Sequence, residues 1–130
     1  MADIRSKYEG AAVSTTPERL ITMLYDRLVR DLTGAEEAIR VGARDLSNEQ
    51  LVHAQEIVFE LLSALDESKP WAGAAALSSL YTWLLGELVQ ANLQQDALRV
   101  ATCRELVEPL AQAWHLAEAE VANSRMGTAV

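Results

Sequence analysis

Two short runs combine histidine with a carboxylate at helical spacing: "HAQE" at His53–Glu56 and "HLAE" at His115–Glu118. Residues three apart share a helix face, so each run offers an imidazole and a carboxylate to one side. Metal binding is the chemistry such pairs suggest. A di-iron bundle site uses the order Glu-x-x-His on facing helices, with further core-facing carboxylates. Here the order is reversed in both runs and no core-facing carboxylate cluster accompanies them, so both read as solvated polar turns. The single cysteine, Cys103, falls on the inner arc of a helix with Val100, Leu106, Val107, Leu110 and Trp114. A thiol there behaves as a small apolar group, not a nucleophile. The glycines at 34, 42, 73 and 86 are isolated and form no phosphate-cradling loop. These patterns point away from an enzyme and from any metal or cofactor.

Composition narrows the class. The 130 residues are half hydrophobic but only 5% aromatic, with 6 Gly and 3 Pro. That length suits one domain with a real core, and so few chain breakers suit packed helices rather than a sandwich or barrel. The net charge of −8 argues against nucleic acid or an anionic membrane as partner, since both require clustered Lys and Arg. One cysteine excludes an internal disulfide and fits a reducing compartment. The N-terminal "MADIRSKYEG" lacks the apolar run of a secretory signal, and no stretch of about 18 apolar residues is present to span a membrane. The expectation is a soluble, acidic, cytoplasmic helical domain.

Four helices follow from periodicity. Residues 1–16 read as a tail with a few apolar side chains, Ile4, Tyr8 and Val13. Thr16 caps a first helix over 17–41, with Pro17 at its first position, where a missing N–H costs nothing. Leu20, Ile21, Leu24, Leu28, Leu32, Ala35 and Ile39 repeat at helical spacing, and Gly42 ends the pattern. Ser47 with Gln50 three later reads as a capping box for a second helix ending near Asp66. "DESKPWAG" breaks the chain before a third helix over 73–93. "LQQD" is a short joint, and Asp96 caps a fourth helix over 97–122, with Pro109 inside it. Residues 123–130 read as a frayed end. Helices of roughly 20 residues with short joints predict an all-α, antiparallel four-helix bundle.

The third helix, in "LYTWLLGELVQANLQQD", carries more apolar residue than one core stripe needs. With Leu80 at zero and about 100° per residue, Leu77, Tyr81, Leu84, Leu88 and Ala91 fill an ordinary core arc. Leu85, Val89 and Leu93 lie further round, with Asn92 between the two groups. The second helix repeats this on a smaller scale: Val52 and Phe59 form a strip outside the core arc, with Gln55 at its edge. Deep burial of the third helix explains surplus apolar residue as well as an apolar groove for a partner helix does, and the pattern leaves both open. Trp83 lies on the polar side with Ser79, Glu87 and Gln90.

The blocks "TTPERLITMLYDRLVRDLTGAEEAI", "LVHAQEIVFELLSALD", "LSSLYTWLLGELVQANLQQD" and "LVEPLAQAW" resemble, in order and spacing, the FliS family of bacterial flagellin-specific export chaperones. The resemblance covers nearly the whole chain from Tyr8 to Trp114. It implies a cytoplasmic four-helix bundle that binds the disordered C-terminal segment of flagellin, one to one, in apolar surface grooves. It further implies that the chaperone prevents premature polymerisation and delivers the subunit to the flagellar type III export gate. On this reading Val52, Gln55, Phe59, Leu85, Val89, Asn92 and Leu93 line the client groove, Asn92 as a polar anchor. Tyr8 and Val13 belong to a tail that covers the groove in the free protein. Two positions depart from the family pattern: Arg5 replaces an earlier tail tyrosine, and Gly86-Glu87 replaces an Arg-Arg pair. The alternative is a structural or regulatory module that self-associates through the same strips, as a homodimer when free.

Overall fold

The computed structural model describes residues 16–67 and 73–128. Four helices occupy them: α1 (Pro17–Arg40), α2 (Arg44–Glu67), α3 (Ala74–Gln94) and α4 (Ala97–Thr128). Among the described residues there is no strand, and no helix is long and apolar enough to cross a membrane. Each helix packs on its sequence neighbour, and α4 closes the ring against α1. Side-chain ties run antiparallel between neighbours: His53 of α2 meets Asp31 of α1, while Arg104 and Arg125 of α4 meet Glu36 and Glu18 of α1. The molecule is therefore the antiparallel four-helix bundle that the spacing predicts.

Local signals set most of the helix ends. Thr16 accepts from the backbone N–H of Arg19 at 3.2 Å, and Asp96 accepts from that of Arg99 at 3.1 Å, so both expected N-caps form. Helix α1 closes on Gly42, whose φ of +77° suits a residue without a Cβ. There the Ala43 N–H reaches back to the Ala38 carbonyl at 2.8 Å. Helix α3 ends the same way on Gln95, a non-glycine residue at φ +50°. Its side-chain amide donates to the Asn92 carbonyl at 2.9 Å, which helps to hold a conformation that costs about 1 kcal/mol or more.

Three local readings are corrected. Ser47 and Gln50 do not form a capping box, because α2 already begins at Arg44. The Ser47 hydroxyl is buried in the first turn, next to the Arg44 carbonyl and Gln95 Oε1, each at 3.0 Å. The Gln50 amide lies over Gly34 of α1, where an added Cβ would come within 2.3 Å of it. Secondly, α4 continues past the expected end at 122 to Thr128, aided by Arg125 reaching Glu18 at 3.5 Å. Thirdly, Leu106 is 44% exposed instead of facing inward with Cys103.

The core comprises the interior stripes of all four helices, including Leu28, Leu32, Leu51, Ile57, Leu84, Leu88, Val100 and Val107, all essentially inaccessible. Burial of each such side chain stabilises the fold by about 1.5–3 kcal/mol. Across the diagonal, the Tyr25 hydroxyl of α1 hydrogen-bonds that of Tyr81 in α3, and the Tyr25 ring lies 6.1 Å from that of Trp114 in α4. Each buried phenol thereby keeps a polar partner, which an apolar core otherwise denies it.

Candidate functional site

The surplus strips face solvent. On α2, Val52 and Phe59 are exposed, Phe59 to 56%, and Gln55 is half-buried between them. On α3, Val89 and Leu93 are exposed, Leu93 to 67%. Leu85 is half-buried and packs against the core, so it forms the floor of the strip rather than its rim.

A polar cluster ties the two strips together at one end. Asn92 of α3 donates from Nδ2 to Oδ1 of Asn48 in α2 at 2.7 Å. Asn48 is the residue the periodicity did not single out. It sits four before Val52, at the head of the row 48, 52, 55, 59 on one side of α2. The bond crosses the α2–α3 seam and joins the head of that row to Asn92, which shares one side of α3 with Leu85 and Val89. Gln95 contacts Asn92 and Ser47 together, so this end of the seam links four side chains. None of the seven residues expected to line a groove is ionisable. The surface can bury apolar side chains and offer a few amide hydrogen bonds, but it has no acid, base or nucleophile of its own.

The residues with chemical potential serve the fold. His53, next to Val52, turns inward and hydrogen-bonds Asp31 of α1, a carboxylate only 2% exposed that also pairs with Arg27 at 3.2 Å. His115 reaches Asp26 of α1 at 2.7 Å, and Glu118 lies 3.6 Å from Arg19. The His53 run is thus a tie from α2 to a buried carboxylate of α1 rather than a solvated turn, while the His115 run stays solvated, its ties to α1 lying at the surface. Among the described residues no three His, Cys, Asp or Glu side chains cluster closely enough to hold a metal ion. Cys103 is fully buried, and burial pushes its thiol up to about 12, with the Glu87 carboxylate adding to the shift. The tail positions Tyr8 and Val13 lie outside the described residues.

Comparison with known proteins agrees with this architecture. The family model described as flagellar protein FliS matches residues 1–121. The chain belongs to the FliS family. It is 35% identical over 107 residues to the flagellar secretion chaperone FliS of Salmonella typhimurium, covering 82% of this chain and 79% of the relative. With the flagellar secretion chaperone FliS of Bacillus subtilis it shares 30% identity over 122 residues, 93% of this chain and 90% of the relative. The protein of the same description from Escherichia coli is 29% identical over 107 residues. This FliS-family chain therefore matches its relatives along the bundle and through both strips of the α2–α3 seam.

Proposed function

We propose that the protein is a cytoplasmic flagellar export chaperone whose α2–α3 seam holds the C-terminal segment of flagellin. The observation that carries this reading is the pair of exposed apolar strips, Val52–Phe59 and Val89–Leu93, joined by the Asn48–Asn92 hydrogen bond. A water-facing groove of this kind suits the apolar side of an amphipathic helix. The client's disordered segment folds as it binds and offsets its ordering entropy by burying a long surface. Asn92 anchors a client polar group, and residues 1–16, through Tyr8 and Val13, cover the groove until the client arrives. The complex is one-to-one, stays unpolymerised, and passes to the export gate. Calorimetric titration with a peptide of roughly the last 40 residues of flagellin, read beside circular dichroism, tests the proposal. Tight one-to-one binding with a negative heat-capacity change and a gain of helix supports it. Absence of binding at high peptide concentration, with concentration-dependent dimers instead, assigns the strips to self-association.

A further inference from the structure

The outer face of α4 carries a second apolar strip that the α2–α3 seam does not use. Leu98, Thr102, Leu106, Pro109, Ala113 and Leu116 are all exposed. At about 100° per residue they fall within roughly 80° of one another, on a strip about 27 Å long. From Thr102 onward their spacing alternates between four and three residues, the heptad pattern of a coiled-coil seam. Leu98 is 74% and Leu116 69% exposed, a large apolar area for a helix that already has a filled core side. At the N-terminal end of the strip, Trp83 of α3 joins Leu98 and Thr102 around a cleft of roughly 260 Å³.

Carboxylates outnumber cations around the strip. Glu105 borders it at the middle and Glu120 at its C-terminal end, while Glu87 and Asp96 line the cleft. Arg99, the cation of that cleft, is tied to Glu87 at 2.5 Å and Asp96 at 3.5 Å, so the three together leave one negative charge there beside the unshared Glu105 and Glu120. Arg104 turns the other way, to Glu36 of α1 at 3.1 Å. A helix laid along the strip therefore meets apolar knobs at its centre and carboxylates at its edges.

We propose that this face docks an amphipathic helix of a second protein, one with heptad-spaced apolar residues flanked by Lys or Arg. Heptad spacing supplies the packing, and the acidic border selects the basic flanks. A second copy of this chain fits less well, because it brings the same net charge of −8 and the same acidic border. The face is also separate from the α2–α3 seam. Trp83 and Asn92 are nine residues apart on α3, which places them about 180° apart around it, so both surfaces can be filled together. The inference does not rest on the flagellin reading.

The test uses the full chain and two labelled designed helices of about three heptads, with Leu at the seam positions and either Lys or Glu at the flanks. Fluorescence anisotropy measures binding. The Lys-flanked helix is expected to bind. It should bind about tenfold or more weakly to the Leu106→Glu/Leu116→Glu double variant, and the Glu-flanked helix should be weaker by a similar factor. Val89→Asp should leave its affinity unchanged, and the flagellin peptide should not compete. Leu98→Glu, at the most exposed position, supplies the same comparison if the double variant fails to fold. Unchanged binding to the folded α4 variant, loss of binding in Val89→Asp, or competition by the flagellin peptide each overturns the proposal. A dimer in sedimentation that dissociates in the α4 variant also overturns it, by assigning the face to a second copy.

Discussion

Asn92 and Asn48 lie 44 positions apart in sequence, yet their side-chain amides meet at 2.7 Å across the α2–α3 seam. The contact lies at the surface, near Val52 on α2 and Val89 and Leu93 on α3. A half-exposed neutral hydrogen bond of this kind contributes about 1 kcal/mol. Asn48→Ala is therefore expected to lower the unfolding free energy by about that much in a urea titration, with the m-value unchanged. A loss above about 3 kcal/mol would show that Asn48 belongs to the core rather than the rim.

Substitutions along the seam should separate rim from floor. Val89→Asp and Phe59→Asp place a charge where water reaches it, so thermal melts should stay near wild type while flagellin-peptide affinity falls about tenfold or more. Leu85→Asp should cost several kcal/mol, because this side chain packs on the core. Val100→Asp, at a fully buried site, should unfold the protein. Unfolding of the Val89 or Phe59 variant in the same melts would move that position into the core.

The Tyr25–Tyr81 pair offers a double-mutant cycle. Each hydroxyl is buried and partnered by the other, and Trp114 also reaches Tyr25, so removing the Tyr25 hydroxyl strands that of Tyr81 more fully than the reverse. Burial, the largest influence, pushes both phenols above their ordinary value, Tyr81 further than Tyr25, so they stay protonated and bonded through the neutral range. Tyr25→Phe and Tyr81→Phe should each cost about 1–2 kcal/mol. The double variant should cost less than their sum, with a coupling of at least about 0.5 kcal/mol by urea titration. Additive losses would mean that the two hydroxyls do not depend on each other.

Cys103 should resist thiol reagents. Its burial and its thiol pKa near 12 leave almost no thiolate at neutral or mildly alkaline pH. Native protein should therefore label with Ellman's reagent only as fast as it opens, and denatured protein at once. Rapid labelling of the native state would contradict the packing of α4 against α3.

Acid should weaken the α1–α4 seam through Glu36. Burial alone would raise this carboxyl, but hydrogen bonds from Arg40 at 2.9 Å and Arg104 at 3.1 Å outweigh it and hold the group below its ordinary value of 4.5. A carboxyl held low in the folded state contributes stability above its unfolded pKa and loses it as pH falls through the folded one. Wild-type stability should therefore decline on acidification below about pH 4.5. Glu36→Gln should be less stable at neutral pH and show a shallower decline, as read by urea titrations across the acid range. Parallel pH profiles would remove Glu36 from the account.

Some of this was legible from neighbouring residues alone. Thr16 before Pro17, Gly42 and Asp96 each act through hydrogen bonds or backbone torsions within about one turn of chain, so their types and spacing suffice. The core stripes at Leu28, Leu32, Leu84 and Leu88 repeat at 3.6 residues. The strips at Val52, Phe59, Val89 and Leu93 were legible as a surplus, because each helix needs only one apolar side for the core.

The remaining features depend on which helix lies beside which. Ser47 and Gln50 satisfy a local capping pattern, but Gln95, distant in sequence, offers Ser47 a partner, and Gly34 of α1 leaves the space that the Gln50 amide fills. His53 reads as a polar turn residue until Asp31 is brought against it. Leu106 sits at the edge of the arc shared by Cys103 and Val107, and a residue at such an edge turns inward or outward according to the placing of α3. Asn48 has an ordinary surface position until Asn92 reaches it. Sequence by itself determined the four helices, the caps at Thr16, Gly42 and Asp96, and the amount of apolar surface left over, since these follow from local torsion and periodicity. Only the tertiary structure decided where that surface lies and what braces it, because contact between residues far apart in the chain depends on the packing of all four helices at once.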